Sequence, residues 1–460
     1  MTIHNFLPAH QAGAEIYTYN LARELRKRHE VIIVYTEKDD EKEQYSVSKR
    51  EYEGIPVYRI INNQRYSSFE ETYKNPGMDE IFQKIVDETR PDIIHFQHLM
   101  NLSTNFMEIA RRKGIPTLFT LHEYWLMCPV SGHRFKKNIS NSISITPKIC
   151  YDINPSECAR CMVRFSRAGL FAERCYRLLK RRRSNKRRSV TDLKRLNRPV
   201  DSFVKELVER ILWRVVKTDY LAMVQDRLAH IKNMCREVDL FIAPSPFLRK
   251  EFIRFGIPEE KIIYSDYGMN PAYYKNIVRR ESERLRFTFI GSPVIQKGVH
   301  VLVEAFNAVN DPKADLNIYG DLSVQPEYSA VLVKMAKNPN IHFRGRFENE
   351  KIGEILSNTD VLVVPSVWFE NSPLTIHEAF IAGIPVITSN LGGMADLVKD
   401  GVSGLLFHVG DAEDLRAKIL SLIKDPALME RLTHGMPTVK TIEEDALFIE
   451  GLYAKVIYKS

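Results

Sequence analysis

The chain lacks any run approaching the ~18 apolar residues of a membrane-spanning helix, although 44% of its 460 residues are hydrophobic. That excludes a channel or carrier built from helices. No charged-then-apolar leader with a small-residue cleavage site opens it, so the reading is cytoplasmic. Six cysteines are too few for a secreted disulfide scaffold of this length and read as thiols or metal ligands. No unit recurs at the ~20–50-residue period of solenoids and propellers. Neither a helix-turn-helix nor an aromatic-interleaved basic pattern occurs, so no nucleic-acid partner is expected. No D-x-D motif is placed to hold Mg2+.

What is present suffices for two or three domains with full cores. The net charge of +8 is unevenly spread: residues 174–198 hold twelve Lys or Arg and one acid, so the remainder is net acidic. This block lies beside an apolar stripe of Val204, Leu207, Ile211 and Val215. A basic run beside such a stripe has the composition of an anionic membrane contact, each charge adding about 1 kcal/mol. A solvated loop has the same composition. Upstream, Cys128, Cys150, Cys158 and Cys161 follow the spacing C-x21-C-x7-C-x2-C. The close pair can chelate, and the other two can complete a tetrahedral thiolate site; buried or idle thiols are the alternative.

Short apolar runs alternate with helical patterns, the arrangement of an α/β protein with parallel sheets covered on both faces. Strands are expected at 31–35, 57–60, 92–96, 117–121, 238–245 and 262–264, then at 286–290, 316–319, 341–343, 361–365 and 383–387. The first strand, within MTIHNF, is short. Gly13 opens a helix with Ala14, Tyr17, Leu21, Ala22 and Leu25 on one face, and lets an anion approach its amides. Ligands of such sheets gather beyond the strands' carboxyl ends. His122 sits at one such end, where a satisfied structural histidine is the plainer role. Lys297 follows another, on a loop from which a point charge can reach a diphosphate.

The chain is organised around residues 368–393, WFENSPLTIHEAFIAGIPVITSNLGG. Glu370 and Glu378 form an E-x7-E pair around Asn371-Ser372-Pro373-Leu374-Thr375. A helix starting near Pro373 with Ser372 as its cap turns the Leu374 and Thr375 amides outward, toward a phosphate. Glu378, about a turn and a half in, can accept from ribose hydroxyls. The layout suits a sugar nucleotide.

Gly13 in Ala12-Gly13-Ala14-Glu15, His122, Lys297, Gly345-Arg346-Phe347 and the E-x7-E pair, in this order along the chain, resemble the retaining glycosyltransferases of family 4, with the GT-B fold. The resemblance implies two facing Rossmann-like doubly wound domains with an inter-domain cleft. Residues 1–267 would form the acceptor side, with an insert at about 128–200. A linker at 268–285 would precede a nucleotide-sugar domain at 286–445, and a helix at 446–460 would cross back. It also implies a metal-independent hexosyltransferase that retains configuration, has no cofactor, and moves a sugar from its nucleotide to a glycan or lipid-linked acceptor. His122, Lys297 and Glu370 are then catalytic. Gly13, Ser292, Arg346, Asn371, Ser372, Pro373, Leu374, Thr375 and Glu378 are donor-binding. The chain departs from the pattern at Ala12, where a first glycine is usual, and at Ser292, where an Arg is common. A GT-B phosphorylase or epimerase, or a non-catalytic sugar-nucleotide binder, shares most of these residues.

Overall fold

The computed structural model describes residues 1–130, 132–136, 148–165, 219–274, 277–348 and 351–458. The basic block 174–198 and the stripe from Val204 to Val215 lie outside them. The chain divides into two compact units, residues 1–123 with 234–460, and residues 124–233. The division thus falls around an insert somewhat longer than the expected 128–200.

The larger unit holds two sheets. Strands β1 (Thr2–Ile3), β2 (Ile33–Glu37), β3 (Val47–Tyr52), β4 (Ile55–Ile61), β5 (Ile94–Phe96) and β6 (Thr117–Thr120) precede the insert. The insert carries β7 (Phe135–Lys136) and β8 (Lys148–Ile149), and β9 (Leu240–Ala243) and β10 (Ile262–Tyr264) follow it. The first sheet runs β10-β9-β6-β5-β1-β2-β4-β3. It is parallel except for β3, which returns antiparallel to β4. The second comprises β11 (Leu285–Ile290), β12 (Ala314–Tyr319), β13 (Ile341–Gly345), β14 (Val361–Val364), β15 (Val386–Ser389) and β16 (Gly404–Phe407). Its order, β13-β12-β11-β14-β15-β16, is parallel throughout. Central strands such as β9 and β14 are buried along their whole length, as their unbroken apolar sequences require.

Strand order reverses between β1 and β5 in one sheet and between β11 and β14 in the other. A crevice opens at the carboxyl ends of strands flanking such a point. The loops leaving β11 and β14 carry Lys297 and Glu370.

The terminal helix, Ile442–Ile457, begins with a capping box in which the Thr441 hydroxyl accepts from the Glu444 amide and Glu444 accepts from the Thr441 amide. It starts four residues before the expected 446, because that box closes the first turn. Ile442, Ala446, Ile449, Leu452 and Val456 lie on one face and enter the first sheet's core with Tyr17, Leu21 and Leu25. Burying each larger aliphatic there contributes about 1.5–3 kcal/mol; Ile449→Asp would break the contact. The linker is tied to the same helix. The Met269 amide donates to the Lys440 carbonyl at 2.9 Å, and the Ile442 amide to the Met269 carbonyl at 2.8 Å. Asp445, 1% exposed, accepts from Tyr17 Oη and Lys440 Nζ.

In the smaller unit, β7 and β8 pair antiparallel and a helix spans Pro155–Phe165. The buried Arg227 guanidinium donates to the carbonyls of Trp125 and Leu126. Arg134, also buried, donates to those of Cys150 and Tyr151. Cys128, Cys150, Cys158 and Cys161 are each partly buried and form no disulfide. Among the described residues, no three His, Cys, Asp or Glu side chains group to hold a metal ion. Nor, among the described residues, is any helix long and apolar enough to cross a membrane.

Candidate functional site

The loops after β11 and β14 are pressed together at Gly298. Its φ is +67°, and a Cβ there would lie 1.9 Å from the Pro365 carbonyl oxygen, so no side chain fits. Beside this crossing the Val367 amide donates to the Gln296 carbonyl at 2.9 Å. The close approach brings Lys297 Nζ to 2.7 Å from Glu370 Oε1. The same oxygen accepts from Ser366 Oγ at 2.7 Å and Trp368 Nε1 at 2.9 Å. Glu370 is 6% exposed, whereas about a third of the lysine side chain (32%) reaches solvent. A buried carboxylate is therefore held by three donors, one a cation that can still reach outward. Behind it, Gly393 lies so close to the Asn371 carbonyl that a Cβ would overlap it, and its amide donates to the Glu370 carbonyl.

The helix that follows spans Leu374–Ile381, and Pro373, not Ser372, is its N-cap. No side chain caps it. The Ser372 hydroxyl is drawn away, donating to Asp266 Oδ1 at 2.6 Å and meeting His377 Nε2 at 2.9 Å. Burial alone would raise the Asp266 carboxyl, but hydrogen bonds from His377 and Ser372 outweigh it and hold it low. The first amides of a helix have no intrahelical acceptor, so those of Leu374 and Thr375 are left for another group. The first helix, Gly13–Leu25, likewise has no side-chain cap. Its start is adjacent: a Cβ on Gly13 would lie 3.5 Å from Leu374 Cδ1. Two uncapped, partly positive helix ends are thus neighbours.

Glu378, half-buried on this helix, accepts from Tyr274 Oη at 3.0 Å. Burial raises its carboxyl and the Tyr274 bond partly opposes this. Burial, then the carboxylate itself, pushes the Tyr274 phenol well up, so it stays a donor. Ser292 is exposed on the loop after β11, and Arg346 is exposed after β13.

Two of the expected residues have their side chains engaged within the protein. Both ring nitrogens of His122 have partners: Nδ1 meets Tyr267 Oη at 2.7 Å and Nε2 meets Gln97 Oε1 at 2.8 Å. Burial, then His98, His95 and His4, depress it far below the usual histidine range. A neutral ring donating from Nε2 and accepting at Nδ1 satisfies both contacts. The Asn371 side chain is likewise spent within the protein. Its amide donates to the Leu121 carbonyl at 3.1 Å and to Tyr267 Oη at 3.3 Å, and its oxygen accepts from Ser245 Oγ at 3.0 Å. Asn371 is a buried joint between the two halves of the site, because the loop after β14 abuts the end of β6.

Two family models match the chain, "Glycosyltransferase Family 4" over residues 12–147 and "Glycosyl transferases group 1" over residues 274–436. A sulfoquinovosyl transferase of Arabidopsis thaliana is 26% identical over 44% of this chain and 41% of its own length. An amylovoran biosynthesis glycosyltransferase of Erwinia amylovora is 26% identical over 41% of this chain and 48% of its own. The chain thus spans about half the length of the curated relatives it matches. The Anabaena protein HepE, solved with UDP and glucose, superposes with a TM-score of 0.58 at 14% identity, over 100% of this chain and 98% of that one.

The chain has the GT-B fold and is similar to family 4 glycosyltransferases.

Within this GT-B chain, Lys297 meets Glu370 and Gly13 lies against Leu374, while Ser292 and Arg346 are exposed on the loops after β11 and β13. Sequence reasoning missed Asp266, Tyr267, Tyr274 and His377, which hold the site's loops. Ser366 and Trp368, four and two residues before Glu370, were findable, since a buried acid needs donors.

Proposed function

We propose that the protein is a retaining glycosyltransferase that moves a sugar from a nucleotide-sugar donor to a hydroxyl of a glycan or lipid-linked acceptor, without a metal ion. The observation that carries this reading is the 2.7 Å approach of Lys297 to Glu370 beside two uncapped helix starts. That HepE was solved with UDP and glucose supports a nucleotide sugar as the donor class.

Charge developing on the leaving diphosphate is met by Lys297 and by the amides of Leu374, Thr375 and Gly13. Glu370 faces the sugar, where a carboxylate offsets positive charge at the anomeric carbon. The C–O bond to phosphate breaks as the acceptor oxygen bonds to that carbon from the same face, and the departing phosphate oxygen takes the acceptor proton. Glu378 accepts from the ribose. His122 acts as a positioning residue that holds the loop opposite Asn371. The basic segment 174–198 supports a lipid-linked acceptor on an anionic surface.

A thermal-shift screen of nucleotide sugars, followed by product analysis of the donor that raises Tm, tests this. The wild type is expected to gain several degrees and to form a product of unchanged anomeric configuration, while Glu378→Ala loses most of the gain. Equal shifts in both proteins would remove the ribose contact, and no turnover would favour a binder. Co-sedimentation with anionic vesicles, lost when 174–198 is neutralised, tests the membrane contact.

A further inference from the structure

Tyr274 is the last residue of a 3-10 turn, Pro271–Tyr274, on the linker that leaves the first sheet. It crosses to the second domain, where its phenol donates to Glu378 Oε1 at 3.0 Å. A second linker contact grips the same helix near its start, Asp266 against Ser372 and His377. The helix that begins the phosphate-facing loop is therefore held at two points by one segment. The Tyr274 hydroxyl has one proton, while a carboxylate offers about four lone-pair sites. One bond from Tyr274 fixes the carboxylate's rotation and leaves acceptor sites for two more hydroxyls.

We propose that Tyr274 is a positioning residue that aims the Glu378 carboxylate at the paired 2′ and 3′ hydroxyls of a nucleoside diphosphate, and so makes the site selective for ribose over a ribose lacking them. The inference rests on the nucleotide-sugar reading above. It adds the linker as the element that sets ribose selectivity.

The test is calorimetric titration of wild type and Tyr274→Phe with UDP, GDP and ADP, and with the 2′,3′-dideoxy form of whichever binds. Phenylalanine keeps the ring, and an unchanged Tm without nucleotide confirms that the variant folds. Wild type is expected to prefer the ribose form. Tyr274→Phe should bind that form roughly fivefold to tenfold more weakly, the scale of one net hydrogen bond, and the dideoxy form equally well. Equal losses on both forms would mean that Tyr274 only supports the fold, and overturn the proposal. Tighter binding by the variant would mean that the phenol occupies the ribose position, and overturn it too, as would no change. If the wild type binds none of the three, the donor reading itself falls, a failure distinct from a wild type that binds without discriminating.

Discussion

The two sheets reverse strand order in the same manner, between β1 and β5 and between β11 and β14, yet their carboxyl ends carry opposite chemistry. The second sheet's crevice holds an ammonium and a carboxylate 2.7 Å apart, with the lysine a third exposed. At the first sheet, His4, His95, His98 and His122 are all held neutral by burial, His95 and His98 pushed down to about 3. Topology places a crevice at each reversal; burial decides which charge it can keep. A partly exposed lysine can meet an anion, while the imidazoles of His95, His98 and His122 carry no charge and have both ring nitrogens engaged within the protein.

The largest effect should come from removing charge at the second crevice. Lys297→Ala and, separately, Glu370→Gln are each expected to lower turnover by about 10²–10³-fold, the scale of one preorganised electrostatic group. Steady-state rates with the donor that stabilises the wild type measure this. A loss below threefold would erase the contrast between the two crevices.

Acid probes the other side. His95 and His98 have depressed pKa values in the fold and about 6.5 when unfolded, so the unfolded chain binds more protons between about 3 and 6.5. Their contribution to stability is complete above that window and is lost as pH falls through it. Going from pH 7 to 5.5 should cost about 2–3 kcal/mol for the two together. The raised Glu378 carboxyl has the opposite sign, losing stability as pH rises through its folded value. Urea melts across this range check the balance; a flat profile would mean that the histidines do not titrate on unfolding.

A smaller loss is expected for His122→Phe, which removes both ring contacts, those with Gln97 Oε1 and Tyr267 Oη. Stability should drop about 1–2 kcal/mol, with turnover affected less than in Lys297→Ala. Equal damage to turnover would return His122 to the reacting centre and sharpen the difference between the sheets in the other direction.

Much of this was readable one residue at a time. Expected strands at 262–264 and 341–343 coincide with or lie within β10 and β13, because unbroken apolar runs have few other places to go. Lys297 and Glu370 were expected near one pyrophosphate, and they do converge. β3 escaped notice because VSKREY is mostly exposed and charged, so it gives no burial pattern; it exists because β4 offers it an open edge. β16 was not among the expected strands; Gly404 opens it under the Val386 carbonyl, where a Cβ would lie 2.1 Å from the oxygen.

Composition and periodicity by themselves determined the α/β class, the strand-end loops and the residue types able to meet a diphosphate, since each depends on local propensity and on which side chains water rejects. Only tertiary structure decided that Ser372 abandons its helix for Asp266, that Asn371 spends its amide on the Leu121 carbonyl and His122 its ring on Tyr267 and Gln97, and that Tyr274 reaches Glu378. Those are choices among hydrogen-bond partners far apart in the chain, and a buried polar atom takes whichever partner the packed fold leaves within about 3 Å.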